Sequence, residues 1–446
     1  MNPALSPARS APAAPEPGPE HGPVLLLSNG HGEDLSGSLL GRALQARGVA
    51  VEALPLVGHG APYRQAGIAV LGRTRSYSTG GLGYTSWRGQ LTELLQGQPL
   101  YLLQRLGLLL RQRRRFALVV AVGDLLPVLG GWLSGRPVAV YLVAYSSHYE
   151  GRLRLPWPCG WLLRRRRVGA VWSRDALTAA DLSQQLLRPV RFLGNPFLDP
   201  VAQQEQSRPA AGPQQLALLP GSRLPEAGRN LELMLRLLAL LPQALRQGGR
   251  LQPAAALVRE LDADAIAALA GPLGWRLESQ AALVGHGLRL ELGWGRFAEI
   301  LGRADLVLSM AGTATEQAVG LSKPVLQLAG RGPQFTEGFA EAQRRLLGPG
   351  LFCVTAAGGS VAGGSVAGGS AATGTSSSGS GAGPAAALEA SAALAARLLQ
   401  DLADPKRAPE LHRQLNREAG LRIGPPGGTE RMAEAIMALL TPPSHG

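Results

Sequence analysis

From residue 24 onward, short apolar runs alternate with stretches of helical period. Val24 to Ser28, Val51 to Val57, Ile68 to Leu71, Phe116 to Val122, Val138 to Val143, Ala170 to Trp172 and Val190 to Leu193 have the length and apolar continuity of buried strands. Between them, 88–114, 125–134 and 175–187 read as helices. This alternation predicts a parallel sheet with helices packed on it. Its first unit is Val24 to Ser28, the loop Asn29-Gly30-His31-Gly32-Glu33-Asp34, and a helix carrying Leu35, Leu39, Leu40, Ala43 and Leu44.

A second series follows the polar stretch Gln203 to Gln215. Leu216 to Leu219 read as a buried strand that stops at Pro220-Gly221-Ser222-Arg223, and from Glu226 a helix repeats through Leu231, Leu233, Met234, Leu237, Leu238 and Leu241. Strands are expected at Ala254 to Val258, Leu288 to Leu292, Asp305 to Ser309 and Pro324 to Leu328, with helices near 262–270, 296–302 and 387–402. Gly427-Gly428-Thr429 is expected to cap a last helix with Met432, Ile436 and Leu439 on one face. Residues 357–386, almost wholly Gly, Ser, Ala and Thr, predict a loop that buries no core. The reading divides the chain into a disordered tail (1–23), an N-terminal domain (24–200), a hinge (201–215) and a C-terminal domain (216–440).

Two domains agree with a length of 446 residues, and 45% hydrophobic against 17% charged residues marks a globular protein. With only Cys159 and Cys353, neither a disulfide framework nor a zinc spacing exists, which fits a reducing compartment. The Pro- and Ala-rich start lacks the apolar core of a signal peptide, and Asp124, Pro127 and glycines interrupt the best apolar stretch, so a cytoplasmic protein is expected. Charge changes the picture further. Residues 1–200 hold 22 basic and 11 acidic side chains and so carry most of the net +13. Arg111-Gln112-Arg113-Arg114-Arg115 and Arg164 to Arg167 dominate this excess, the latter beside Trp157 and Trp161. Tryptophan and leucine next to arginine suit an anionic membrane surface, although arginines at helix ends also serve as solvated faces. No motif of a nucleic-acid binder accompanies the charge.

The candidate chemistry lies in the loops after strands, where open α/β sheets bind ligands. Gly221, Ser222 and Arg223 offer backbone N–H groups, a hydroxyl and a guanidinium to a diphosphate. Gly312, Thr313 and Thr315 open a helix toward the same anion, with Glu316 or Gln317 one turn on to accept from ribose hydroxyls. Helix capping alone would also place such threonines there. Gly30-x-Gly32 lacks the dinucleotide spacing, so NAD is not indicated. Asp262-Ala263-Asp264 looks like a metal-binding pair but opens an amphipathic helix, where acids are favoured anyway; no metal and no cofactor are expected.

Leu219-Pro220-Gly221-Ser222-Arg223, Ala311-Gly312-Thr313-Ala314-Thr315-Glu316-Gln317 and Phe192-Leu193-Gly194-Asn195-Pro196 together resemble the lipid-A-disaccharide synthases, and more closely a related group associated with cyanobacteria. The similarity is strongest over 190–330. It implies the GT-B fold, two facing Rossmann-like domains with parallel sheets and an interdomain cleft. It also implies transfer of a sugar from a UDP-sugar held by the second domain, with Asn195 on the nucleotide-sugar side, to a lipid acceptor held by the first. A more distant similarity, through the Gly30-His31-Gly32 loop, the ribose-type Glu and Gln334 near the sugar, is to the peptidoglycan-precursor GlcNAc transferase. Three departures stand out: the synthases place their glutamate where this chain has Gln317, carry a fuller acidic motif around Asp124, and usually have His at Asn195.

An inverting, metal-independent transfer requires a base at the acceptor hydroxyl. Asp124 is the first candidate and His31 the second, with Gly30, Gly32, Glu33 and Asp34 on the acceptor side. Asp124 has the alternative role of a helix N-cap. Two other functions stay open at this level: a UDP-sugar 2-epimerase of the same fold, and a nucleotide-sugar-binding protein without catalysis. A peripheral protein of the inner membrane's cytoplasmic side is the expectation.

Overall fold

The computed structural model describes residues 22–74, 98–149, 151–204, 212–328, 337–354, 361–362 and 383–441. The tail 1–21, residues 205–211 of the hinge, most of the low-complexity segment and Gln334 lie outside the described residues. Seven parallel strands form the first sheet: β1 (Val24–Ser28), β2 (Val51–Pro55), β3 (Ala69–Val70), β4 (Leu118–Val122), β5 (Val138–Leu142), β6 (Val168–Ser173) and β7 (Arg191–Phe192). Their order is β3-β2-β1-β4-β5-β6-β7. β1, β4 and β5 are buried along their whole length, as strands covered on both faces must be.

The second sheet contains β8 (Gln214–Leu219), β9 (Leu251–Leu257), β10 (Arg276–Ser279), β11 (Ala282–Gly285), β12 (Leu288–Trp294), β13 (Leu306–Ser309), β14 (Val325–Gln327), β15 (Leu351–Val354) and β16 (Val361–Ala362). The order is β10-β11-β12-β9-β8-β13-β14-β15-β16, parallel from β12 to β15. The hairpin β10–β11 and the strands β15 and β16 go beyond the sequence reading, and β16 lies inside the segment expected to be a bare loop. That segment is also shorter than expected, because a helix already starts at Pro384 (Pro384–Ala403). Of the expected helix 88–114, the described part is Gln98–Gln112, followed by a 3-10 turn at Arg113–Arg115.

Both sheets reverse direction in the same way. From β1 the chain moves outward through β2 and β3, then crosses to β4 on the other side of β1; from β8 it moves outward to β12 and returns to β13. A crevice therefore opens between the carboxyl ends of β1 and β4 and another between those of β8 and β13, the places where such sheets bind ligands.

The chain ends on the half where it began. The last helix, Gly428–Leu440, packs on the helix His31–Gln45, and its capping is supplied from far away: Asp199 accepts from the N–H groups of Gly427 and Thr429. This corrects the expected local cap, and a remote carboxylate at a helix N-terminus contributes about 1 kcal/mol. Arg431 donates to the Leu193 carbonyl (2.7 Å) and Arg47 pairs with Glu430 (2.6 Å). Met432 and Ile436 are buried as expected, but Leu440 replaces Leu439, which is 39% exposed, on the packed face.

Candidate active site

Each crevice is built by two adjoining loops. In the second half, β8 and β13 pair with Ser309 opposite Leu219, the Met310 N–H donates to the Leu219 carbonyl (2.9 Å), and Asn230 holds the Pro220 carbonyl (2.8 Å). Gly221 has φ +102°, and a Cβ there would stand 3.1 Å from the Met310 carbonyl, so only glycine allows the loops this close. Ser222 is exposed and Arg223 half-buried just before the helix Glu226–Leu240. Burial lowers the Arg223 pKa although Glu226 and Glu33 favour its charge, which leaves a desolvated cation in need of an anion. Next to it, Gly312 and Thr313 open the helix Thr313–Gly320 with free backbone N–H groups.

In the first half the loops after β1 and β4 are tied by Asn29, which donates to Asp124 (3.0 Å). The other Asp124 oxygen accepts from the Leu126 N–H (2.9 Å) and caps the helix Leu125–Leu133. Asp124 thus has the capping role and a place on the rim together. Glu33 lies over the same point: a Cβ on Gly123 would come within 3.1 Å of it, and one on Gly30 within 2.8 Å of its carboxylate. Burial raises the Asp124 pKa; burial first, then the nearby Asp124, Asp34 and Glu316, lift Glu33 to about 8 against the opposing effect of its own backbone N–H. The two crevices face each other, since a Cβ on Gly32 would stand 2.8 Å from the Thr313 hydroxyl. Arg223, Thr313, Glu316, Glu33 and Asp124 therefore converge from both halves.

Other expected site residues do not join them. Asp34 is fully buried within the first half, accepting from Ser28 (2.6 Å), which in turn accepts from Tyr63 (2.9 Å). Thr315 is buried, donating to the Ala311 carbonyl and bonded to Ser309 (each 2.7 Å), so its hydroxyl is not available to a phosphate. Gln317 is turned away from the cleft and donates to the Phe197 carbonyl (2.6 Å), which leaves Glu316 as the ribose candidate. Asn195 is buried between Tyr141 and the carbonyls of Arg174 and Ile423, where it joins the halves instead of lining the cleft. Asp262 caps its helix by accepting from Ala265 (2.8 Å). His31 opens its helix, and its side chain lies outside the described residues.

Sequence reasoning missed Asn29, which orients Asp124, and Arg174. Arg174 directly follows β6, is 3% exposed, and pairs across the cleft with Glu316 (2.9 Å) while donating to the Val143 carbonyl (3.1 Å). Burial opposes its charge, but Glu316, Tyr149, Tyr141 and Asp175 outweigh that and raise its pKa. The signal was available: Ser173-Arg174-Asp175 ends an apolar strand in a polar triplet, as Ser222-Arg223 does. A cavity of about 500 Å³ adjoins the rim, lined by Tyr145, Ser146, Tyr149, Leu153 and Arg154 from the first half and Arg345 from the second. Tyr145 accepts from the Leu125 N–H (3.1 Å), one residue from Asp124.

The Glu33 shift predicts a stability effect. Between its ordinary pKa near 4.5 and about 8 the folded chain keeps a proton that the unfolded chain has lost. Stability contributed by Glu33 is thus present at low pH and lost as pH rises from about 5 to 8. Glu33→Gln should make denaturant stability less pH-dependent over this range by about one proton, roughly 1.4 kcal/mol per pH unit at most. An unchanged slope contradicts the assignment.

Two α/β sheets whose switch-point crevices face each other define the GT-B class of glycosyltransferase-like fold. CalG4, the calicheamicin glycosyltransferase, has that fold at 15% identity, covering 95% of this chain and 98% of its own with a TM-score of 0.55. The S. aureus MnaA–UDP co-structure matches at 14% identity, covering 94% of this chain and 97% of its own with a TM-score of 0.52. No family profile matches the chain. The lipid-A-disaccharide synthase of Alkalilimnicola ehrlichii (strain ATCC BAA-1101 / DSM 17681 / MLHE-1) is 31% identical over 320 residues, which are 68% of this chain and 74% of the relative. The chain belongs to the lipid-A-disaccharide synthase family.

Proposed function

We propose that this protein transfers a sugar from a UDP-sugar to a lipid acceptor at the cytoplasmic face of the inner membrane. The observation that carries the reading is the convergence of Arg223 and the Thr313 helix start on one crevice, opposite Asp124 and Glu33 on the other. In this reading the acceptor oxygen attacks the anomeric carbon as the bond to UDP breaks, giving inversion. Asp124 takes the hydroxyl proton, and Arg223, Ser222 and the N–H groups at Thr313 hold the departing diphosphate. These groups supply a base and anion stabilisation without a metal. With the Glu33 pKa lifted to about 8, Asp124, oriented by Asn29, is the carboxyl of the pair assigned as base.

Calorimetric titration of the full chain with UDP tests the donor assignment. UDP should bind at least tenfold more tightly than ADP, and equal or tighter ADP or NAD binding overturns it. The full chain is required because the last helix of the second half packs on the first.

The lipid side rests on the outer surface. The cavity beside Tyr145 shares Leu153 and Arg154 with a groove of about 630 Å³ lined by Leu155, Trp157, Trp161 and Arg164. Trp157 is 88% exposed, and Leu100 and Leu103 also face solvent. Arg165 stacks on Trp161 at 3.7 Å, keeping cation and apolar ring at one surface. No helix of the described residues is long and apolar enough to cross a membrane, so the proposed contact is peripheral. Each arginine near an anionic surface contributes about 1 kcal/mol. Changing Arg164, Arg165, Arg166 and Arg167 to Ser should release the protein from anionic vesicles at 0.15 M salt. Unchanged co-sedimentation removes this cluster from the contact. Membership of a synthase family and this groove favour transfer over the epimerase reading.

A further inference from the structure

Glu316 reaches the cleft in the grip of a residue from the opposite half. Its Oε2 accepts from the Arg174 guanidinium at 2.9 Å, whereas its Oε1 makes no hydrogen bond among the described residues. The Glu316 side chain is 15% exposed and that of Arg174 4%, so the ion pair is largely removed from water while the second carboxylate oxygen stays accessible from the cleft. Arg174 is itself held firmly: its Nη1 donates to the Val143 carbonyl at the end of β5, and its backbone carbonyl accepts from Asn195. Asn195 also donates to the Ile423 carbonyl, in the chain returning from the second half. A partly buried carboxylate bound on one oxygen by a fixed guanidinium is restrained in rotation, which gives its other oxygen a preferred direction. Removing the guanidinium would leave that carboxylate partly buried and unpaired, free to turn or take up a proton.

We propose that Arg174 is a positioning residue for the donor: it fixes Glu316 so that the free oxygen accepts a ribose hydroxyl, and it makes donor recognition dependent on the two halves being closed. The inference rests on the reading of Glu316 as the ribose contact. It adds that the second half does not read the ribose by itself, since the orienting cation directly follows β6 of the first.

The test is discrimination between UDP and its 2′-deoxy and 3′-deoxy forms, measured by calorimetry on the full chain. A ribose hydroxyl donating to a carboxylate makes the wild type prefer UDP to one deoxy form by about tenfold or more. Glu316→Ala should abolish that preference, Arg174→Met should abolish it equally, and the double variant should lose nothing further. Binding of inorganic pyrophosphate, assigned to Arg223, Ser222 and the Thr313 helix start, should change less than twofold in Arg174→Met; a general structural loss would weaken both ligands. If Arg174→Met does not fold, Arg174→Lys carries the test. It keeps the charge but cannot hold Val143 and Glu316 together, and should reduce the preference at least threefold. Discrimination that survives Glu316→Ala, or is absent from the wild type, overturns the ribose reading. Discrimination lost in Glu316→Ala but intact in the Arg174 variants, or additive losses in the double variant, overturns the positioning role alone.

Discussion

Asp124→Asn is expected to lower sugar transfer about 100-fold or more while leaving UDP affinity and stability nearly unchanged. The reason lies in the two bonds that Asp124 already makes. One oxygen accepts from the Leu126 N–H and caps a helix, and the other accepts from Asn29. Asparagine caps as well as aspartate, so the helix keeps its start. Burial already disfavours the charged carboxylate, so a neutral amide carries no penalty for folding. The new amide nitrogen cannot accept from Asn29, but Asn29 can turn its own amide so that its Oδ1, which has no hydrogen-bond partner among the described residues, accepts from it; what is then lost is the capacity to take a proton. Rates of transfer together with calorimetric UDP binding check this. Wild-type transfer by Asp124→Asn, with transfer abolished in Glu33→Gln, would move the base to Glu33.

The second large effect is on the donor. Arg223→Ala should weaken UDP binding by about 1.5–3 kcal/mol, roughly 10- to 150-fold, the range for a hydrogen bond to a charged group. Burial of its guanidinium lowers its pKa, and the nearby Glu226 does not restore it. An arriving diphosphate supplies the missing counter-charge. Arg223→Lys should recover only part of the affinity, because a single ammonium cannot span two phosphate oxygens as a guanidinium does. Titration with UDP decides it, and a loss below threefold in Arg223→Ala removes this residue from the diphosphate site.

What the sequence disclosed and what it hid follow from the range of each interaction. Leu216 to Leu219 followed by Pro220-Gly221-Ser222-Arg223 was legible because an apolar run, a turn and a helix start are all local signals. The adjacency of β8 and β13 followed from the topology of parallel sheets. Orientation of side chains was not legible. Thr315 and Gln317 flank Glu316, and one helix step of about 100° decides which of them enters the cleft. The fate of Asn195 depended on Ile423, 228 residues away, and that of Glu316 on Arg174, 142 residues away. No pattern within a window of sequence encodes such pairs. The last helix read well as an amphipathic element, but its cap, Asp199, and its packing partner, the helix His31–Gln45, belong to the other half of the chain.

The central claim, transfer of sugar from a UDP-sugar to lipid, is tested most directly by incubating the full chain with radiolabelled UDP-sugars and a membrane-lipid extract, then separating the lipids by chromatography. Label should move from one UDP-sugar into a lipid fraction, with UDP released in equal amount and the product absent from Asp124→Asn. Binding of the UDP-sugar without label in any lipid, or conversion of the free nucleotide sugar to its 2-epimer, would contradict the account.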